Sequence, residues 1–405
     1  MEKFQIVTFP HQEVPACDLG NFGVDEAKKV HDYHASFDVY TQTPLTPLAG
    51  LAKELGVAEV RVKDESYRFG LNAFKVLGGS YALGCYIAKK LGKDISEMPA
   101  SRILSDEIRA ELGDVTFVTA TDGNHGRGVA WTANQLGQHS VVYMPKGSAQ
   151  ERLMNIRAEG ADASIVDMNY DEAVRLANSQ AEANGWVMVQ DTAWEGYTDI
   201  PLWIMQGYMT MGYEIVKQLE ADNAEKPTHV FLQAGVGSMA SAMAAFLSSY
   251  YGKDRPIITV IEPEKANCLF NTAKANDGKL HFVTGEMNTI MAGLACGEPC
   301  TIGWEVLKDC VDAFISCPDY VAADGMRIMA APVKGDEAVI SGESGAATLG
   351  CVANILMDSD LSELKQQLKI DENSRLLFIS TEGDTDKKNY RDVVWGGKYS
   401  KNCQG

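Results

Sequence analysis

The sequence predicts an α/β protein of two domains, and three observations carry that prediction. Its 405 residues exceed what one hydrophobic core usually supports. With 45% hydrophobic and 22% charged residues, the chain has ample material for buried cores. Apolar runs of strand length alternate with longer amphipathic stretches, which is the pattern of a parallel sheet covered by helices.

The expected strands are EVRVKD near residue 60, TFVTA at 116–120, SVVYM at 140–144, ASIVDM at 163–168 and WVMVQ at 186–190, followed later by HVFLQ, PIITVIE and LLFIS. Between them, FKVLGGSYALGCYIAKKLG, GRGVAWTANQLG, AQERLMNIRAEG, YDEAVRLANSQAEAN and PLWIMQGYMTMGYEIVKQLEA read as helices. The last three are apolar on one face and charged on the other. The polar stretch at 92–114 reads as surface helix. The repeated strand-helix units predict a smaller domain, 86–194, inserted into a larger one made of 1–85 and 195–405.

Charge and composition narrow the functional classes. A net charge of −19 repels phosphate backbones and anionic lipids, so neither nucleic acid nor a membrane surface is an expected partner. No stretch reaches the roughly 18 apolar residues of a membrane span, and the first residues show no basic-then-apolar leader, so a cytoplasmic location is expected. Nine cysteines, with no C-x-x-C and no histidine in ligand spacing, predict packed thiols and no metal. Whether Cys268 pairs with Cys296 or Cys300 is left open.

Four motifs carry chemistry. In RFGLNAFK, Lys75 opens an apolar helix after a polar extended segment. Partial desolvation there would free its amine for a Schiff base, whereas the alternative is a snorkelling surface lysine. TDGNHGRG, residues 121–128, is a glycine-rich strand-to-helix turn suited to a carboxylate or phosphate, and His125 within it is either a base or a turn residue. QAGVGSM places Gly235, Val236, Gly237, Ser238 and Met239 between a buried strand and a small-residue helix, a phosphate cradle. The same stretch fits a dinucleotide fingerprint with Glu262 as the ribose acid, which makes a dehydrogenase the rival reading. In STEGDTD, Ser380 or Thr381 offers a hydroxyl at a strand end.

Together these motifs resemble fold-type II enzymes dependent on pyridoxal 5'-phosphate (PLP). FGLNAFK, TDGNHGRGVAW, YMPKGSAQER, VQDTAWEGY, QAGVG, IMAGLACGEP, SGESGA and STEGDTD resemble, in order, the signatures of the diaminopropionate ammonia-lyase family, from about residue 44 to 396. The resemblance implies PLP in a cleft between two domains, each with a mostly parallel sheet flanked by helices. It also implies β-elimination of ammonia from D- and L-2,3-diaminopropionate to give pyruvate and two ammonia, and a homodimer. Another eliminating lyase of the fold, such as a serine or threonine dehydratase, is the alternative.

The resemblance also implies residue roles. Lys75 carries PLP as a Schiff base, Asn124 reaches the ring hydroxyl, residues 235–239 bind the phosphate, and Ser380, or its neighbour Thr381, faces the ring nitrogen. Asp122 stands where the wider group has serine, so it serves as a second base opposite Lys75. Asp191 is the candidate to hold the departing β-ammonium, with a helix N-cap as its bland alternative. Thr121, Gly123, His125, Trp194, Glu195, Tyr197 and Glu343 are expected near the substrate.

Overall fold

The computed structural model describes residues 4–121 and 123–401. Two sheets organise them. The larger has seven strands in the order β1 (Gln5–Thr8), β10 (Ala313–Cys317), β9 (Ile257–Pro263), β8 (His229–Gln233), β11 (Arg375–Ser380), β3 (Glu59–Asp64) and β2 (Leu45–Pro47). Its five inner strands run parallel, and the two edge strands pair antiparallel. The smaller sheet is wholly parallel, in the order β6 (Asp162–Ile165), β5 (His139–Met144), β4 (Thr116–Ala120) and β7 (Val187–Met188).

The elements follow from the sequence pattern where burial is two-sided. In β8, every residue of HVFLQ is buried, as a central parallel strand covered on both faces requires. The WVMVQ run forms only a two-residue strand, because Gln190 turns its side chain onto β4 instead of continuing the ladder. Strands β1, β2 and β10 went unread. The first two are short edge strands, and AFISC, like any brief apolar run, is ambiguous by periodicity alone. The polar stretch at 92–114 forms three short helical turns, Ile95–Glu97, Ala100–Ile103 and Asp106–Leu112.

Close helix packing sets the two sheets against each other. The helix Val76–Lys90 lies against both Asn124–Gln135 and Asp199–Ala221. At Gly128 a Cβ would stand 2.7 Å from Val76 Cα, so only glycine lets the smaller sheet's first helix approach this closely.

Beneath the turn that carries Lys75 lies a cluster of wholly buried charges. Arg68 donates to Glu65 and, through two nitrogens, to Glu214, while Lys63 Nζ donates to Glu214 at 2.6 Å. Burial alone would raise the Glu214 carboxyl, but Arg68 and Lys63 hold it well below the usual carboxylate range. Its contribution to stability is therefore present above its unfolded value near 4.5 and is lost as the pH falls toward its folded value. Glu214→Ala leaves the buried Lys63 ammonium without a carboxylate while Arg68 keeps Glu65, and we expect it to cost about 3–5 kcal/mol. Urea unfolding at pH 7 measures this, and a loss below about 1 kcal/mol, the range of an exposed pair, would refute it.

Candidate active site

The strand ends of both sheets open onto one cleft, lined among others by Lys75, Asn124, Tyr170, Asp191, Gln233, residues 235–240, Thr381 and Glu382. Lys75 is the N-cap of the helix Val76–Lys90. A cation there opposes the helix dipole by about 0.3–1 kcal/mol, so the position needs an external reason. That reason is Asp191, whose Oδ2 accepts from Lys75 Nζ at 2.7 Å. The desolvated lysine of the sequence reading is thus a lysine with a buried carboxylate partner.

The turn before Lys75 is held by the STEGDTD segment. Phe74 N donates to Thr381 O, Gly383 N donates to Asn72 O, and Asn72 Nδ2 donates to Asp384 Oδ1 at 3.1 Å. Asn72 itself sits in the left-handed region at φ 60°, a conformation asparagine tolerates better than most residues. The lysine's position is therefore fixed from the end of β11, more than 300 residues away in sequence.

Asp191 follows β7 and is buried. Its Oδ1 accepts from the Tyr170 hydroxyl and from Gln190 Nε2, both at 3.3 Å. Burial would raise its pKa, but the Lys75 ammonium, with help from His125 and the hydrogen bonds of Lys75 and Tyr170, holds it well below the carboxylate range. No helix begins at Asp191, so the N-cap alternative does not apply.

In the TDGNHGRG turn, Thr121 Oγ1 accepts from Gly123 N and Gly126 N and shapes the entry to the helix Asn124–Gln135. Asn124 Nδ2 donates to Glu382 Oε2 at 2.5 Å across the cleft. His125 is buried, with Nε2 on Val189 O at 2.8 Å. It thereby pins the backbone leading to Asp191, and it lines a recess beside the cleft with Thr121, Lys75 and Tyr170. Asp122 lies outside the described residues.

The Gly235–Met239 loop fits a phosphate. The helix Ser238–Tyr251 begins there, so its first N–H groups face the cleft without helical partners. Gly237 has φ 101°, and a Cβ on Gly235 would meet Cys296 Sγ at 3.0 Å and Leu294 Cα at 3.3 Å. Ser238 Oγ donates to Asp191 O, which ties the cradle to the carboxylate's own backbone. Glu262, the rival reading's ribose acid, is spent elsewhere. It accepts from Leu269 N and Phe270 N at the start of the helix Cys268–Ala275, and burial pushes its carboxyl up to about 8.

Several expected residues stand away from the cleft. Ser380 points back from β11 and donates to Ser341 Oγ at 2.8 Å, whereas Thr381 lines the cleft and accepts from Gln233 Nε2 at 3.0 Å. Glu343 is buried behind the wall, paired with Arg152 at 2.8 Å. Burial, opposed by Arg152 and reinforced by Glu382, pushes its carboxyl up to about 7. Trp194 and Tyr197 stack on each other, and Glu195 is exposed. Tyr197 serves as a post, since its hydroxyl accepts from Gln190 N and donates to Met188 O. Of these three only Glu195 is exposed, and none lines the cleft.

Sequence reading passed over Tyr170, Gln190, Gln233 and Glu382. Glu382 adjoined a quoted hydroxyl and was the most findable. Tyr170 opens a helix read only as cover, and nothing in its local pattern sets it apart.

A cleft at the strand ends of a parallel α/β fold, with a lysine at one wall and a glycine-rich anion cradle at another, defines the class of PLP-binding enzymes. The pyridoxal-phosphate dependent enzyme family matches residues 37–382. Diaminopropionate ammonia-lyase of Salmonella typhimurium is 50% identical over 380 residues, covering 94% of this chain and 93% of the relative, and that of Escherichia coli is 48% identical over the same length. The holo crystal structure of the Escherichia coli enzyme superposes with a TM-score of 0.92 at 46% identity, covering 98% of each chain. Its complex with D-serine gives 0.91 at 45% identity, again covering 98% of each chain. The chain belongs to the diaminopropionate ammonia-lyase family of PLP-dependent enzymes.

The cradle yields a test that needs no turnover. Gly237→Ala places a side chain at φ 101° with its Cβ 3.0 Å from Leu307 Cδ1. Strain of about 1–2 kcal/mol should weaken PLP retention on the order of tenfold. Equilibrium dialysis against PLP measures it, and unchanged retention would remove the loop from the phosphate site.

Proposed function

We propose that the protein eliminates ammonia from 2,3-diaminopropionate, D and L, yielding pyruvate and two ammonia. The observation that carries this is the Lys75–Asp191 pair at 2.7 Å, which sets a base and a buried carboxylate side by side at the mouth of an anion cradle. When bound through Lys75, PLP supplies an electron sink for the substrate's α-carbon. Asn124 and the 235–239 loop hold its ring hydroxyl and phosphate. Thr381 replaces Ser380 as the hydroxyl for the ring nitrogen. Because Thr381 accepts from Gln233, its own proton is directed onward, so it offers a neutral donor that does not force the nitrogen to be protonated.

The chain's residues then divide the proton work. The Lys75 amine takes the α-proton of one enantiomer, and Asp122, by its place in the TDGNHGRG turn, takes that of the other. Asp191, ionised and buried, binds the β-amino group as its cation, the protonated form that leaves as neutral ammonia. A carboxylate suits that cation better than it suits a hydroxyl leaving group, which favours diaminopropionate over serine. The enamine released to water tautomerises and hydrolyses to pyruvate and the second ammonia.

We also read 86–194 as a smaller inserted domain, which the placement of the four-strand sheet within 116–188 supports. A homodimer and a cytoplasmic location complete the proposal. The first rests on family resemblance and the second on a thiol-rich composition suited to a reducing compartment. Among the described residues, no helix is long and apolar enough to cross a membrane.

Purified protein with PLP should yield one pyruvate and two ammonia per diaminopropionate consumed, from either isomer. Absence of pyruvate from both at saturating PLP overturns the reading. Asp122→Asn should lower kcat/KM for the D-isomer by on the order of a hundredfold or more while changing the L-isomer far less. Equal losses on the two isomers would remove the second base.

A further inference from the structure

We propose that Gln190 is a positioning residue that fixes the direction of a hydrogen-bond chain ending on Asp191, and thereby keeps that carboxylate ionised for the departing ammonium. The proposal rests on the ammonia-lyase reading for its chemical purpose, though not for its geometry. Gln190 is wholly buried, and its carboxamide has one permitted orientation. Ala120 N, a backbone group that can only donate, reaches Gln190 Oε1 at 3.1 Å, and Thr119 Oγ1 donates to the same oxygen at 2.9 Å. With Oε1 assigned as the acceptor, Nε2 must face the other way.

That assignment propagates. Gln190 Nε2 donates to the Tyr170 hydroxyl at 2.8 Å, so Tyr170 has its own proton to pass on, and it lies 3.3 Å from Asp191 Oδ1. Nε2 also reaches Oδ1 directly at 3.3 Å. Lys75 occupies Oδ2. Both carboxylate oxygens thus receive donors, an arrangement that favours the charged form. The source of this polarity is the backbone of β4, which cannot reverse.

The groups that act on Asp191 come from several elements. Lys75 faces it from the larger sheet's side, His125 from the TDGNHGRG helix, Tyr170 from the helix Tyr170–Asn184, and Tyr197, Tyr208 and Cys300 stand within electrostatic reach. Among the described residues the largest effects that lower its pKa come from Lys75, His125 and Tyr170, and Gln190 governs which way the Tyr170 proton points.

Gln190→Met keeps the length and removes the donor. Gln190→Glu keeps the acceptor toward Ala120 and sets a second carboxylate beside Asp191. Tyr170→Phe deletes the link while leaving Gln190 in place, and it decides the matter if the Gln190 variants do not fold. In the cofactor-loaded full chain, the protonation of Asp191 is followed by its infrared carboxylic C=O band, identified by subtraction of Asp191→Asn. The acid limb of kcat/KM on diaminopropionate is measured alongside. We expect midpoint and limb to rise by about one pH unit in Gln190→Met and Tyr170→Phe, and by more in Gln190→Glu. Rates that fall evenly across pH, with both midpoint and limb unmoved, would reduce Gln190 to packing and overturn the proposal. If the parent makes no pyruvate yet the infrared midpoint shifts, the ammonia-lyase reading fails and the positioning role stands.

Discussion

The contact on which the site depends is the ion pair between Lys75 and Asp191. Each partner is badly placed without the other. Lys75 caps a helix at the end that favours negative charge, and Asp191 is a carboxylate taken out of water. They come from different sheets, so the distance of 2.7 Å between them is also a statement about how the two halves of the molecule are set. A pair this buried contributes little net stability over an apolar substitute, and a fold retains it when it needs the charges.

Holding the pair takes most of the surrounding structure. The Arg68–Glu65–Glu214–Lys63 cluster fixes the stem of the lysine turn, the STEGDTD segment fixes its tip, and Gly128 lets the neighbouring helix press against the first residue after Lys75. On the other side, His125 and Tyr197 pin the backbone before Asp191, and Gln190 with Tyr170 aims the carboxylate. Buried polar groups of this number are costly unless paired, and those named here pair with one another or with nearby backbone groups. Rigidity is the consequence, and it serves the proposed elimination, in which Lys75 as base and Asp191 as holder of the β-ammonium must be in register before the bond breaks.

Much of this was legible in the sequence and some was not, for physical reasons. The parallel sheets announced themselves through HVFLQ and TFVTA, because central strands buried on both faces leave no polar alternation to dilute the signal. Lys75 was conspicuous because a lysine on an apolar helix breaks the pattern, and the Gly235–Met239 loop because glycines between a buried strand and a helix mark an anion cradle, although the spacing alone also fitted a dinucleotide. The sequence left the choice between Ser380 and Thr381 open, and of the two only Thr381 lines the cleft. At a strand end, successive side chains face opposite sides, and only the three-dimensional packing tells which side is the cleft. Trp194, Glu195 and Tyr197 were assigned by nearness to Asp191 in sequence, but none of the three lines the cleft. Tyr170 and Gln190 had no sequence signature at all, since their importance lies in a hydrogen-bond direction set by a backbone amide of another strand.

That last point bears on how a shared fold comes to handle a particular leaving group. Elimination of water or of ammonia can use the same lysine and the same anion cradle, because both begin with loss of the α-proton. What differs is the charge at Cβ. A cation there is best met by a carboxylate that stays ionised although it is buried, and burial by itself works against ionisation. The structure resolves the conflict by filling both oxygens of Asp191 with donors whose polarity cannot invert, one anchored by Lys75 and the other by the β4 backbone through Gln190. On the proposed reading, selectivity for an amine leaving group depends on the Gln190 amide that orients Asp191 as well as on the carboxylate itself.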